Sequence, residues 1–278
     1  MKVIAYHSVE ECPLKEVGAG LYCVPLARFR EQIKFIADSE AVKAPGSRVR
    51  GLEPRAYNLE PGTSSTCDTQ YVITFDDGDL TNYKYAYPVL KEFGLKAYFF
   101  ILAGRVGTEG YMSWEQIKEL KNSGMIIGSH GMTHCALTDL NDEDLRCGLQ
   151  DSKTILEDAL GVTIDSLSVP RGYYDSRVLE KAGQFGYKTI FTSDDRIAVR
   201  ADWDIKHFKD VLHKGYSFRE RTRRAMLAVA KRVLGPKGYD WVRDRVLSHH
   251  DTKSPGHKQE SPEVTRSPVI KSSEQKSS

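Results

Sequence analysis

Short apolar runs rich in β-branched and aromatic residues recur through the first 200 residues, separated by stretches whose apolar positions return every three or four residues. VIAYH, YVITF, KAYFFIL, MIIGS, SLSV and KTIFT read as buried strands, since unbroken apolarity over so few residues suits a strand covered on both faces. Segments starting near Pro25, Asn82, Ser113, Asn141, Asp175 and Tyr216 have the spacing of amphipathic helices. Ser113 with Gln116 has capping-box spacing, and Gly124 is a glycine stop for the same helix. This alternation predicts an α/β protein with a parallel sheet, closed as a barrel or doubly wound, and locates its chemistry at the carboxyl ends of the strands.

Two regions break the rhythm. Residues 39–70 hold few apolar residues and several Gly and Pro, the composition of a long loop inserted before YVITF. Residues 251–278 are polar and rich in Pro and Ser, and cannot bury enough surface to fold. The expectation is one domain over 1–250, with a basic helical part at 200–250, followed by a disordered tail at 251–278.

Composition adds little: 40% hydrophobic, 28% charged and a net charge of +2 describe an ordinary globular chain and favour no polyanionic partner. Five cysteines without a CxxC pair suggest neither a disulfide framework nor a structural zinc site. The first residues, MKVIAYHSVEE, reach acids before any signal-like apolar run, so the expected location is cytoplasmic.

Chemistry concentrates at two strand ends. YVITF runs into Asp76, Asp77 and Gly78, where a turn lets two adjacent carboxylates face one cavity. The plain alternative makes one acid a helix cap and leaves the other solvated. MIIGS runs into His130, and His134 follows four residues later, at the spacing that puts two imidazoles on one face of a helical turn. Two histidines with one carboxylate form a three-ligand set with an open position, as in catalytic rather than structural zinc. The other carboxylate is then spare to take a proton from metal-bound water, whose pKa the cation lowers to about 7.

FDDG, SHxxxH and the later Pro-Arg-Gly turn, in this order, resemble the NodB-type polysaccharide deacetylases of carbohydrate esterase family four. The resemblance extends over roughly residues 2–200 and takes in YHSV, NYKYAYPVLKEFG, KAYFFIL and VLEKAGQFGYKTIFTS. It implies a distorted (β/α) barrel of about seven parallel strands. It also implies that Asp77, His130 and His134 hold a divalent metal, zinc above all, that Asp76 is the general base, and that a backbone N–H helps hold the oxyanion.

The pattern departs from the family at several points. Anchored on Pro170 and Gly172, the turn reads Ser-Val-Pro-Arg-Gly, so Ser168 stands where an arginine braces the base and Arg171 where an aromatic residue lends its N–H. Arg171 remains a candidate for the oxyanion turn through its backbone, and for substrate binding through its side chain. Gly131 replaces a Ser or Thr. For the general acid, His207 in DIKHFKDV is preferred on a last strand, with Ile205 two residues earlier on the same face, and with His213 and the LSHH histidines as weaker choices. His7, ending the first strand, is a candidate for substrate binding or a share in the acid role.

Trp114 and Trp203 can stack on a sugar, although core packing is the commoner use of tryptophan. The basic stretch containing RERTRRAMLAVAKR is either a solvated helix over the barrel or a surface for anionic glycan, lipid-linked sugar phosphate or the inner membrane face. The sequence thus predicts a cytoplasmic metal-dependent hydrolase that removes an N-acetyl or N-formyl group from an amino sugar, free, oligomeric, or nucleotide- or lipid-linked, in surface-polysaccharide, lipopolysaccharide or glycolipid biosynthesis. The rival reading is a lapsed barrel that binds glycan or acts as a scaffold. Nucleic acid is not an expected partner.

Overall fold

A computed structural model describes residues 2–11, 22–39, 71–192 and 196–214. The expected loop beyond Ser39, the helix near Tyr216, the rest of the basic stretch, the LSHH histidines and the 251–278 tail lie outside these residues. In chain order the strands are β1 (Lys2–Tyr6), β2 (Ser8–Glu10), β3 (Cys23–Pro25), β4 (Tyr71–Phe75), β5 (Ala97–Ile101), β6 (Ile126–Ser129), β7 (Ser166–Ser168), β8 (Thr189–Phe191) and β9 (Arg196–Ala198). The helices are α1 (Leu26–Asp38), α2 (Tyr87–Glu92), α3 (Trp114–Asn122), α4 (Asp142–Arg146), α5 (Ser152–Leu160), α6 (Ser176–Gln184) and α7 (Ile205–Lys214).

Seven strands form one all-parallel curled sheet in the order β8-β7-β6-β5-β4-β1-β9, the expected seven-stranded barrel architecture. The six apolar runs of the sequence supply β1 and β4 to β8. The seventh strand, β9, was not expected, and neither was the short β2–β3 pair. Each of these has three residues, too few to establish a period in the sequence.

The strands are apolar throughout because both faces are covered. On the outer face Tyr6, Phe75 and Phe99 stack in register, with centroids 5.4 and 4.9 Å apart, and Phe29 of α1 meets their edges. On the inner face Val3, Tyr98, Phe100 and Phe191 form a second, smaller cluster. Thr74 and Asp76 fall on this inner side by the two-residue period of a strand.

Local signals hold where they were read. Ser113 and Gln116 exchange both bonds of the capping box, and Gly124 follows the helix end at φ 83°. Asn141 and Asp175 accept hydrogen bonds from Asp144 and Val178, as N-caps do. The helix expected from Asn82 begins with a wide turn, Asn82–Ala86, that runs into α2.

One assignment is overturned. DIKHFKDV is not a last strand: it opens α7, where Asp204 caps the helix by accepting from the His207 N–H at 2.7 Å. Phe208, Val211 and Leu212 are buried at helical spacing, which outweighs the two-residue relation between Ile205 and His207. The helix packs on α1, and His213 in its last turn meets the Phe35 ring edge-on. Trp203 is buried and Trp114 is packed against the core, so both serve packing. No described helix is long and apolar enough to cross a membrane.

Candidate metal centre and its acid pair

The FDDG turn separates its two acids by backbone conformation. Asp76 continues the inner face of β4, its N–H bonded to the carbonyl of Tyr6. Asp77 is left-handed at φ 71° and Gly78 follows at 75°, so the chain reverses pleat and both carboxylates reach one side. Aspartate tolerates this conformation better than most residues, at a cost of about 1–2 kcal/mol. The capping role that the sequence left open for one of the pair belongs to Asp79, which accepts from the N–H of Thr81 at 2.8 Å.

His130 ends β6. Its Nδ1–H donates to the carbonyl of Ser168 at 2.8 Å, which fixes the tautomer and turns Nε2 toward Asp77. His134 reaches the same point, although the segment between the two histidines is not helical: Gly131 at φ 81° turns the chain after the strand. A glycine-hinged loop, not the helical turn expected from the spacing, brings the rings together. Their Nε2 atoms each lie 3.4 Å from Asp77 Oδ1, and one ligand atom from each of the three residues falls within 4.8 Å of the others.

These residues fit a cation. Asp77 Oδ1 is buried and has no hydrogen-bond partner among the described residues, while two imidazole nitrogens face it. A buried carboxylate oxygen in that position costs free energy unless a positive charge joins it. His130 is buried and His134 half-exposed, so the set opens toward solvent on the His134 side.

Asp76 is held differently. Arg196, the first residue of β9, forms a two-pronged ion pair with it: Nη2 to Oδ1 at 2.9 Å and Nη1 to Oδ2 at 2.9 Å. The same guanidinium donates to Thr74 Oγ1 at 2.7 Å and to Ser168 Oγ at 2.8 Å. Both members of the pair are almost fully buried, where a forked arginine–carboxylate geometry is strongest.

The bracing arginine that the Pro-Arg-Gly turn lacks is therefore present, delivered from the other edge of the sheet. Ser168 leaves room for it and adds an acceptor. The sequence reading missed Arg196; its only signal was a basic residue opening the short apolar run IAV after an acidic turn.

The charges reinforce one another. Burial opposes ionisation of Asp76, but the Arg196 guanidinium, then His130 and His7, hold the carboxyl far below the usual carboxylate range. Asp77 is also burdened by burial, but the facing His130 imidazole holds its carboxyl below the usual range. Burial lowers His134, with Asp77 opposing.

His7 directly follows β1: burial lowers its pKa, the charges of Asp76 and Asp77 oppose this, and its ring lies 5.0 Å from that of Tyr22. His207 does not join the group: its ring lies 4.9 Å from Trp203, on the helix that covers α1. Arg171 sits in the tight turn Pro170–Gly172 at φ 58°, exposed, with the Gly172 N–H bonded to the Val169 carbonyl.

Comparison with known proteins agrees with this geometry. The polysaccharide deacetylase family model matches residues 63–190. A putative polysaccharide deacetylase of Bacillus subtilis, YxkH, is 29% identical over 204 residues, covering 72% of this chain and 67% of that protein. The peptidoglycan-N-acetylglucosamine deacetylase of Bacillus cereus is 30% identical over 122 residues, 44% of this chain and 55% of its own length. The chain thus spans about two thirds of the first relative and about half of the second. Among solved structures, the Streptococcus pyogenes deacetylase PplD in complex with acetate superposes with a TM-score of 0.62 at 22% identity, over 77% of this chain and 98% of that one. This last likeness is one of fold.

Proposed function

Since residues 63–190 belong to the polysaccharide deacetylase family, of the NodB type, we propose that this protein hydrolyses the acetamide of an N-acetylated amino sugar within a glycan. The observation that carries this reading is the buried, unpartnered Asp77 oxygen between two histidines, with an arginine-braced carboxylate on the adjacent residue.

A divalent metal held by Asp77, His130 and His134, zinc by the nitrogen and oxygen donor set, would acidify a water and polarise the amide carbonyl. Asp76, kept ionised by Arg196, receives the proton of the attacking water. The fork from Arg196 fixes both carboxylate oxygens, so the basic lone pair is aimed before substrate arrives. To the backbone N–H of Arg171 this reading assigns the oxyanion role, supported by its constrained turn. His7 is the stronger candidate to return a proton to the departing amine, because it shares the centre with both acids, whereas His207 lies against Trp203.

The lapsed-barrel reading draws on a missing brace and on the lack of an obvious acid histidine; Arg196 answers the first, and the His7 and His207 variants test the second. The finer features remain part of the proposal. They are zinc as the metal, N-formyl as a second acyl group, and a nucleotide- or lipid-linked precursor in surface-polysaccharide or lipopolysaccharide synthesis. A cytoplasmic setting, with peripheral contact to the inner membrane face, completes it.

The test is acetate and formate release from N-acylated glucosamine oligomers, free, nucleotide-linked and lipid-linked, with zinc supplied. The Asp76→Asn protein is expected to keep one metal per chain and lose turnover, while Asp77→Ala loses both. Release undiminished by Asp76→Asn would assign the base elsewhere; loss of metal in that variant would exchange the two acids' roles.

A further inference from the structure

Outside the metal centre, a groove of about 470 Å³ runs between the Asn82–Glu92 helical segment and α3. Leu80, Tyr83, Tyr87 and Pro88 form one wall, Gln116 and Glu119 the other, and Lys84 stands at its edge. The volume is that of a small-ligand site. The spacing of Leu80, Tyr83, Tyr87 and Pro88 puts them on one helical stripe.

Leu80, at one end of the groove, is three residues beyond Asp77, and its loop is tied down by the Leu80 N–H to the Gly110 carbonyl and the Met112 N–H to the Gly78 carbonyl. A helix that follows a parallel strand starts at that strand's carboxyl end, so the Leu80 end of the groove is the end nearer the FDDG turn. The stripe from Leu80 to Pro88 is about 12 Å long, at roughly 1.5 Å per helical residue.

Its chemistry is specific. The Tyr83 ring lies 5.7 Å from the buried Tyr87 ring at an interplanar angle of 22°, and its hydroxyl donates across the groove to the Glu119 carboxylate. The ring is thus fixed before a ligand arrives, which reduces the ordering cost of binding. One ammonium and one carboxylate leave the groove near neutral, unsuited to a polyanion. Its apolar part is two tyrosines and a proline with a single leucine, too little aliphatic lining to receive an amphipathic helix. A pyranose has the complementary surface: a C–H face for an aromatic ring and hydroxyls for a carboxylate, an amide and an ammonium.

We propose that this groove is a secondary saccharide site, holding an outlying part of the same amino-sugar chain that is deacetylated at the metal centre. The identity of the sugar rests on the deacetylase reading; the groove's preference for a saccharide rests on its own residues. Binding there lengthens the enzyme's contact with polymer and leaves short substrates unaffected.

The experiment compares β-1,4- and β-1,6-linked N-acetylglucosamine pentamers with the corresponding dimers. In Tyr83→Ala, KM for the preferred pentamer is expected to rise about tenfold, the equivalent of one lost stacking contact, with kcat unchanged and dimer kinetics unaltered. Tyr83→Phe, which keeps the ring, retains most of the effect, and Glu119→Gln serves as a second surface variant. Equal effects on pentamer and dimer, or none on either, would overturn the proposal. If the wild-type protein releases no acetate from any of these, the deacetylase reading fails by itself. The groove is then judged by NMR titration with the pentamers: shifts confined to Tyr83, Lys84 and Glu119 support it, and their absence refutes it.

Discussion

At the scale of single residues, adjacent aspartates become two different instruments because one backbone angle differs. Asp76 follows the strand pleat into the ion pair with Arg196; Asp77, left-handed at φ 71°, turns to the histidines. Arg196 is accordingly a positioning residue. Arg196→Lys keeps the charge but loses the fork, and kcat is expected to fall about 10–100-fold, with KM and metal stoichiometry nearly unchanged in steady-state kinetics and metal analysis. Arg196→Met leaves Asp76 buried without its partner and should cost about 3–5 kcal/mol in denaturant unfolding. Restoring Arg at 168 in that variant has no such geometry to inherit, since Ser168 now serves as an acceptor for Arg196 and through its carbonyl for His130. His7→Ala should lower kcat by about 10²–10⁴-fold, the usual contribution of a general acid, while His207→Ala leaves it within a few-fold. The reverse ranking in a simple rate comparison would return the acid role to α7.

At the scale of elements, α7 is the point where pattern reading failed. Ile205 and His207 two residues apart suggested a strand, but a two-residue relation over one pair is weaker than a cap and three buried residues at helical spacing. Phe208 is fully buried and meets Phe35 of α1 edge-on. Phe208→Ala should destabilise the protein by about 3–5 kcal/mol in thermal or denaturant unfolding, a loss set by the vacated volume. A much smaller loss would mean that α7 is not packed as described. By contrast, α3 was legible in full, because its signals are local: Ser113, Gln116 and Gly124 act within one or two turns of themselves. The HxxxH pair lies between these cases. Its ligand spacing was visible, but Gly131, noted only as a replaced Ser or Thr, provides the turn that lets His134 fold back.

At the scale of the molecule, the candidate ligands from the turn after β4 and the loop after β6 meet only in the folded sheet, so a metal bound there would stabilise the native state. Adding zinc at a hundredfold excess over its Kd should raise stability by about 2.7 kcal/mol, read as an increase in Tm by calorimetry. A chelator should reverse the shift, and His134→Ala should abolish it. A Tm indifferent to zinc in the wild-type protein would count against the three-residue set. By itself the sequence determined the α/β class, six of the seven sheet strands, the capped helices and the four residues of the acid–histidine pattern. It could do so because period, capping and ligand spacing are short-range properties of the chain. Only the tertiary structure decided that Arg196 pairs with Asp76, that DIKHFKDV carries His207 on a helix, and that Tyr83 and Glu119 face each other across a groove. The two pairings join positions 120 and 36 residues apart, and depend on β1 and β9 lying side by side at one edge of the sheet and on two helices packing as neighbours. No local pattern encodes such contacts, because the physical property that selects them, burial of a charge beside its partner, exists only after the sheet has curled.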